Sequence, residues 1–337
     1  MARVSTIGNP AVSVILPTFN RGHTILQAIQ SVLALRHEIV EIIVVDDGSS
    51  DDTLDIIAGL EDPRLSVVSL KSNRGAGFAR NTGIGLARAP YVAFIDSDDV
   101  WLADRLELPL SMLRSHPNVG VVLSAFTTEK RGKQTHYEMP DRIYGGSELE
   151  SLVARHVLQP TTSGLTFRKD LLSSVGGFNT ELRWMEDYDL VMRVARRTDG
   201  ATINKPLWHK RWQPDGVSSH HNTYLPSLLT FLASHSIYSD RELEFRNYLV
   251  ARHLAKTAYY SGLLSAMRDY SEARQRLSPE LPPLSVLMMK HFRTRRSRRA
   301  QKRELLGDID KGGQVFAPFS ALAGVAMMAA EVCQSFI

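Results

Sequence analysis

Residues 91–99 read Tyr-Val-Ala-Phe-Ile-Asp-Ser-Asp-Asp, an apolar run that passes directly into a cluster of carboxylates. A short β-prone run of this kind suits a strand buried in a parallel sheet. Asp96, Asp98 and Asp99 then sit at the strand's carboxyl end, the edge where open α/β sheets bind ligands. Carboxylates crowded together repel one another unless a cation lies between them. Hard divalent ions with oxygen ligands, Mg2+ or Mn2+, suit such acids and share their remaining positions with substrate phosphates. The same residues also suit a plainer task, because Ser97, Asp98 or Asp99 could cap a helix beginning near Val100.

The chain before this stretch alternates between two patterns. Val12 to Leu16 reads as a strand, Pro17 to Gly22 as a loop, and Ile25, Ala28, Ile29, Val32 and Leu33 carry helical spacing. Ile39 to Val45 is a second strand, followed by an acid-rich turn, Asp46 to Thr53, and a helix from Leu54 to Leu60. Leu65 to Leu70 is a third strand and Phe78 to Ala87 a helix. This order predicts an α/β fold with a doubly wound, mostly parallel twisted sheet flanked by helices. Asp46 and Asp47 then share the ligand edge with Asp96, Asp98 and Asp99. A nucleotide lying across the strand ends suits both clusters, with Asp47 accepting from a base N–H and Asp98 and Asp99 managing metal and diphosphate.

Other phosphate-binding devices fit poorly. Gly75-Ala76-Gly77 lacks the third glycine of a dinucleotide fingerprint, since Arg80 stands there, and no phosphate loop ending in glycine-lysine is present. Farther along, Val119 to Ser124 and Thr162 to Phe167 read as strands. Leu190, Val191, Val194 and Ala195 have helical spacing, so Glu186 and Asp187 fall in a first turn, where carboxylates are favoured. Simple capping of that helix is the competing explanation.

These segments carry a family resemblance. Val14-Ile15-Leu16-Pro17-Thr18-Phe19-Asn20-Arg21, Val45-Asp46-Asp47-Gly48-Ser49-Ser50-Asp51-Asp52-Thr53, Asn73-Arg74-Gly75, Ala79-Arg80-Asn81, Asp96-Ser97-Asp98-Asp99, Gly176-Gly177-Phe178 and Glu186-Asp187-Tyr188-Asp189-Leu190 occur in this order. Together they resemble a family 2 glycosyltransferase of the GT-A fold over about residues 10 to 220. The resemblance implies an inverting transferase that moves a sugar from a nucleotide donor, usually a UDP-sugar, to a hydroxyl of a glycan or lipid-linked acceptor. It implies that Pro17, Thr18 and Phe19, with Asp47, hold the donor base, and that Asn20, Arg21 and Asp46 belong to the substrate-binding set. Arg74, Arg80, Asn81, Asp98 and Glu186 complete the donor site, Asp96, Asp98 and Asp99 hold the metal, and Asp187 is the general base. The chemistry agrees: displacement at the anomeric carbon needs the acceptor proton removed and the leaving diphosphate neutralised, and it needs no nucleophilic side chain. The chain departs from the family at Trp208-His209-Lys210-Arg211-Trp212, where Trp212 replaces a common histidine. Arg211 is the expected diphosphate contact there, against a plain surface arginine. His220 and His221 could complete a metal shell or be merely polar.

Length and composition bound the rest. A chain of 337 residues can hold one large α/β domain and a smaller appendage. Leu225 to Ile237, Arg241 to Gly262 and Leu263 to Leu277 read as amphipathic helices, giving a helical appendage over residues 223–285. The lone cysteine, Cys333, excludes a disulfide framework and suggests a reducing, cytoplasmic compartment. The start of the chain lacks a signal-peptide pattern, since Pro17 interrupts the short apolar run from Val12. Much of the +4 net charge lies in Lys290 to Arg299, so the body carries no nucleic-acid signature. That basic stretch precedes a short apolar one, residues 315–330, within a last segment spanning 290–337. The pair suits peripheral attachment to the inner face of the cell membrane, or else a solvated linker and a packed helix. A nucleotidyltransferase would want a glycine- and lysine/arginine-rich loop where Pro17 to Gly22 stands. A non-catalytic nucleotide-sugar-binding protein would want the same donor site without turnover.

Overall fold

The computed structural model describes residues 2–35, 40–130, 133–211, 224–277, 281–287 and 304. The chain divides into two compact units, Met1–Val153 with Leu158–Ser219, and Ala154–Val157 with His220–Ile337.

The first unit begins with a two-residue strand β1 (Ala2–Arg3), then β2 (Val12–Thr18), α1 (Gly22–Leu33), β3 (Val40–Asp46), α2 (Thr53–Ala58), β4 (Leu65–Ser69), α3 (Ala76–Leu86) and β5 (Tyr91–Phe94). β2 and β3 are buried along their whole length, which is why they read as near-continuous apolar runs. A short β6 (Val100–Trp101) follows, then α4 (Glu107–Ser115), β7 (Val119–Ser124), β8 (Phe126–Lys130), β9 (Lys133–Tyr137), β10 (Arg142–Tyr144) and α5 (Gly146–Ala154). β11 (Leu165–Arg168), α6 (Lys169–Ser174), α7 (Glu186–Ala195), β12 (Asp199–Ile203) and β13 (Trp208–Arg211) complete the unit.

The main sheet has the order β1-β4-β3-β2-β5-β11-β7-β12-β10. β4, β3, β2 and β5 run parallel, as the alternating pattern predicts. β11 departs from that expectation: it lies between β5 and β7 and is antiparallel to both. From β2 the chain first winds outward to β3 and β4, then returns to place β5 on β2's other side. The order therefore reverses between β2 and β5, and the crevice at their carboxyl ends is the ligand-binding position of such sheets. The main core packs β2, β3 and β4 against α1 and α2 through Val14, Leu16, Ile25, Ile29, Ile42 and Val44.

A second sheet, β6-β13-β8-β9, was not legible in the sequence. Its presence corrects one expectation: Val100 begins a strand, not a helix, and the next helix starts only at Glu107. The acids at 96–99 therefore cap no helix near Val100. Instead β6 pairs with β13, with Trp208 opposite Trp101 and His209 opposite Val100. That register carries Lys210 and Arg211 to the acids.

The second unit holds α8 (Tyr224–Ser234), α9 (Leu243–Ser261) and α10 (Leu263–Arg276). Leu228, Leu229, Phe231, Tyr238, Leu249 and Leu254 form its buried interior. Tyr238 donates its hydroxyl to the Ala154 carbonyl at 2.9 Å, and Arg155 Nε donates to Glu242 at 2.7 Å. Among the described residues no helix is long and apolar enough to cross a membrane.

Candidate functional site

The crevice wall on the β3 side is a set of crossed loops. Asp46 is fully buried and accepts the Ser49 N–H at 3.1 Å and the Ser69 hydroxyl at 2.9 Å. Asp47 accepts the backbone N–H groups of Arg74 at 2.8 Å and Gly75 at 2.7 Å, so each of its oxygens is engaged by the 73–75 loop. Each oxygen keeps a second acceptor direction. Asn20, at φ +50°, accepts the Ser50 N–H at 2.8 Å, and Arg21 N–H donates to Thr53 Oγ1 at 2.8 Å. Pro17 and Thr18 lie at the end of β2, opposite Val45 and Asp46. Thr18 Oγ1 is buried without a hydrogen-bond partner, a cost that a ligand group in the crevice would remove. Phe19 projects at 39% exposure. The exposed Arg74 places its guanidinium 3.4 Å from the Phe78 ring centroid.

Arg80 joins the two distant acidic stretches. It is 4% exposed and donates to Asp96 Oδ1 at 2.8 Å and to Glu186 Oε1 at 3.0 Å. Burial opposes its charge, but Asp96 and Glu186 outweigh burial and hold its pKa above the ordinary value. The start of α7 is thereby fixed to the end of β5. Met185, the residue before Glu186, takes a left-handed conformation at φ +65° that side chains adopt only when their surroundings impose it.

The three acids after β5 have separate fates. Asp96 binds Arg80 and keeps some solvent contact. Asp99 is 3% exposed, accepts the Ser163 hydroxyl at 2.6 Å on one oxygen and the Arg211 N–H at 3.2 Å on the other. Asp99, expected among the metal ligands, buttresses β5, Ser163 and β13 through these bonds. Asp98 remains half-buried and nearest to free. Burial first, then Asp96, raises its pKa, while Arg21 and Lys210 pull it back. Asp99 is raised well above the carboxylate range by burial and by Asp96 and Asp98. Among the described residues no three acidic, histidine or cysteine side chains stand close enough to hold a metal alone. The donor set fits a divalent ion in the open manner of Mg2+, held by one or two carboxylates here, Asp98 and the outer oxygen of Asp96, and otherwise by phosphate oxygens.

Lys210 was missed by the sequence reading. It stands among Asp99, Asp96, Asp187 and Asp98, which overcome the burial cost and raise its pKa. Its side chain nevertheless keeps solvent contact, so protein surrounds it in an open cleft. Arg211, the residue expected to reach a diphosphate, instead sends its guanidinium to Gln27 of α1. Only position separates them: Lys210 sits one residue before the residue chosen, and strand alternation turns the two to opposite sides.

Asp187 is half-buried in this surrounding, with Oδ1 accepting the Tyr188 N–H at 2.9 Å. Burial, and after it Glu186, pushes its pKa up to about 8, against partial offset from Tyr188, Lys210 and Arg80. A carboxylate tuned toward neutrality suits proton abstraction.

Asn81, expected among the substrate-binding residues, has a structural task here. Its amide accepts the Phe178 N–H at 2.7 Å and donates to the Phe178 carbonyl at 2.8 Å. Gly177 explains that geometry: at φ +69°, a Cβ there would stand 2.4 Å from Asn81 Oδ1. Arg193, held by Asp189 at 2.6 Å, donates to the Val175 and Gly177 carbonyls at 2.7 Å. Gly177→Ala should therefore cost about 2–3 kcal/mol, combining overpacking with the left-handed backbone. Gly176→Ala, at φ +77° with open space around the added carbon, should cost only about 1 kcal/mol. Urea midpoints of the two variants check this; equal losses would contradict the clash.

Two further buried groups, unmarked in the sequence, support the acids. Ser163 accepts the Asp96 N–H at 3.0 Å while donating to Asp99. The fully buried Arg105 donates to the Ser163 carbonyl at 3.0 Å, to Thr166 at 2.9 Å and to the Leu165 carbonyl at 2.9 Å. Burial lowers its pKa to about 9. Trp212, His220, His221, the 290–299 basic stretch and the 315–330 apolar stretch lie outside the described residues.

This sheet order, with acids at two strand ends and a third acid pair on a helix start, defines an α/β domain of the GT-A fold. Residues 13–176 match the family model Glycosyl transferase family 2, so the chain carries a domain of that family. It is 45% identical over 97 residues to the succinoglycan biosynthesis protein ExoO of Rhizobium meliloti, covering 29% of this chain and 28% of that protein. It is 40% identical over 102 residues to the Escherichia coli UDP-Glc:alpha-D-GlcNAc-diphosphoundecaprenol beta-1,3-glucosyltransferase WfgD, covering 30% and 40% respectively. The matches thus span well under half of these relatives. The crystal structure of Staphylococcus aureus TarS 1–349 in complex with UDP-GlcNAc shares the fold, with a TM-score of 0.60 at 18% identity, over 91% of this chain and 99% of that one.

Proposed function

We propose that this chain is an inverting glycosyltransferase that moves a sugar from a nucleotide-sugar donor, a UDP-sugar by first choice, to a hydroxyl of a glycan or lipid-linked acceptor in bacterial surface-polysaccharide or exopolysaccharide synthesis. The observation that carries the reading is the Arg80 bridge. It brings Asp187 to the acids that close the donor crevice, with Lys210 between them. A general base and a diphosphate-binding edge then face one acceptor position.

The donor lies across the carboxyl ends of β2, β3 and β5. Its base packs by Pro17, Thr18 and Phe19, and the Thr18 hydroxyl gains the partner it lacks. Asp187 takes the acceptor hydroxyl proton as the oxygen attacks the anomeric carbon. The carbon–oxygen bond to the diphosphate breaks on the opposite face, so the configuration inverts and the nucleoside diphosphate leaves. Lys210 meets the charge that develops on the diphosphate. A divalent ion at Asp98 and Asp96 would supply further Lewis-acid stabilisation of that leaving group. The names of ExoO and WfgD support the polysaccharide context, and the WfgD name and the TarS complex support a UDP-sugar. The 290–299 basic stretch adds a peripheral contact with the inner membrane face.

Calorimetric titration with UDP, in Mn2+ and in EDTA, tests the assignment of the cation. Lys210→Ala should weaken binding about tenfold or more, the scale of one charge-assisted contact, whereas Arg211→Ala should change it less than about threefold. The reverse ranking would return the diphosphate to Arg211.

A further inference from the structure

The exposed large apolar side chains of the described residues fall into two patterns. In the sheet unit they are scattered: Val4, Phe19, Leu26, Leu86, Leu102 and Ile143. In the helical unit they gather between residues 259 and 267, where Tyr259, Tyr260, Leu264 and Met267 are 53, 66, 84 and 47% exposed. Single exposed apolar residues are ordinary, but a cluster marks a contact surface. The cluster forms the tip of the α9–α10 hairpin around the exposed Gly262, whose φ of +86° makes the turn.

The tip stands on a fixed base. His253 of α9 meets Asp269 of α10 at 2.9 Å, and the Thr257 hydroxyl donates to the same carboxylate at 3.2 Å. Behind the tip the charges are cationic. Arg252 and Lys256 precede the tyrosines at helical spacing, and Arg268 follows Leu264 by four residues, on the same face. Arg252 and Arg268 are exposed. Burial, and after it the neighbouring Arg252, lowers the Lys256 pKa from its ordinary value. Asp269, the acid between these cations, is engaged by His253. An apolar, tyrosine-bearing end backed by long cationic side chains has the layering of a bilayer interface. A second copy of the tip would bring like charges together, whereas anionic lipid neutralises them.

We propose that the α9–α10 tip inserts Tyr259, Tyr260, Leu264 and Met267 into an anionic lipid bilayer, with Arg252, Lys256 and Arg268 meeting the lipid phosphates. This contact is separate from the basic stretch at 290–299. It rests on the transferase reading only for its purpose, which is to bring the enzyme to a lipid-linked acceptor.

The test uses the full chain with Cys333→Ser, so that a thiol introduced by Leu264→Cys can carry an environment-sensitive fluorophore alone. Vesicles of phosphatidylcholine with phosphatidylglycerol should move its emission to the blue, and spin-labelled lipid in the same vesicles should quench it. Leu264→Ser with Met267→Ser should lower vesicle affinity about tenfold or more, with an unchanged urea midpoint because both side chains are exposed. Emission unmoved on vesicle-bound protein would assign the contact to another segment and overturn the proposal. A blue shift on raising protein concentration without vesicles would reveal a second copy on the tip and overturn it equally. Nucleotide release measured without lipid judges the transferase reading separately.

Discussion

Asp187→Asn should lower transfer about 10²–10⁴-fold, the range typical of losing a general base, while donor affinity changes little. The amide keeps the side chain's size but takes up no proton. The wild-type rate should rise with pH and level off above about 8, where Asp187 is ionised. The same group makes a stability prediction of opposite sense. Its carboxyl holds a proton in the folded state that the unfolded chain releases at ordinary carboxylate pH. Folded stability is therefore lost as pH rises from about 4 to about 8, and the loss is complete above. Asp187→Asn should match wild type at pH 4 in urea unfolding and exceed it at pH 9, by a few kcal/mol as order of magnitude. A variant both inactive and more stable at alkaline pH is the signature of a group placed for chemistry at the expense of the fold. A variant that is less stable at pH 9 would make Asp187 an ordinary helix-start acid.

Arg80→Met should be the most damaging change to the site's architecture. It leaves Asp96 and Glu186 facing each other without their shared cation. Breaking a buried pair costs about 3–5 kcal/mol, and the partial exposure of both carboxylates puts this case at about 3. The loss should extend to function, because α7 is no longer tied to β5: UDP affinity should fall at least about tenfold. Arg80→Lys keeps the charge but reaches only one acid well, so it should recover part of the stability and less of the binding. Urea unfolding and UDP titration on the three proteins check the order. Equal UDP affinity in all three would detach the bridge from the donor site.

Much of the sheet half was legible because its strands are buried on both faces. Val12 to Thr18 and Val40 to Asp46 announce themselves by apolar run, and the second also by the acids Asp46 and Asp47 that end it. The reversal of β11 left no mark: a buried strand of four residues reads the same in either direction. β6 is two residues long, too short for any pattern, and with it went the whole second sheet. That gap left the capping alternative at 100 open and hid Lys210, which β13 presents through its pairing with β6 and β8. Asp46, Asp47, Asn81 and Asp99 were readable as important but not as builders. Their partners are backbone amides, two hydroxyls and a carbonyl, none of which has a sequence signature. Ser163 and Arg105 are the extreme case, since each is defined by what it touches.

The most direct test of the account is nucleotide release from UDP-, GDP- and dTDP-sugars, with Mn2+ or Mg2+ and with EDTA, on wild type beside Asp187→Asn. The account predicts slow, cation-supported release from one donor class, absent in the variant although the variant still binds that donor. Release by Asp187→Asn at the wild-type rate would remove the base. Failure of folded wild-type protein to bind any nucleotide sugar would contradict the donor site itself, and donor bound but never released, with acceptor supplied, would make the chain a nucleotide-sugar-binding protein.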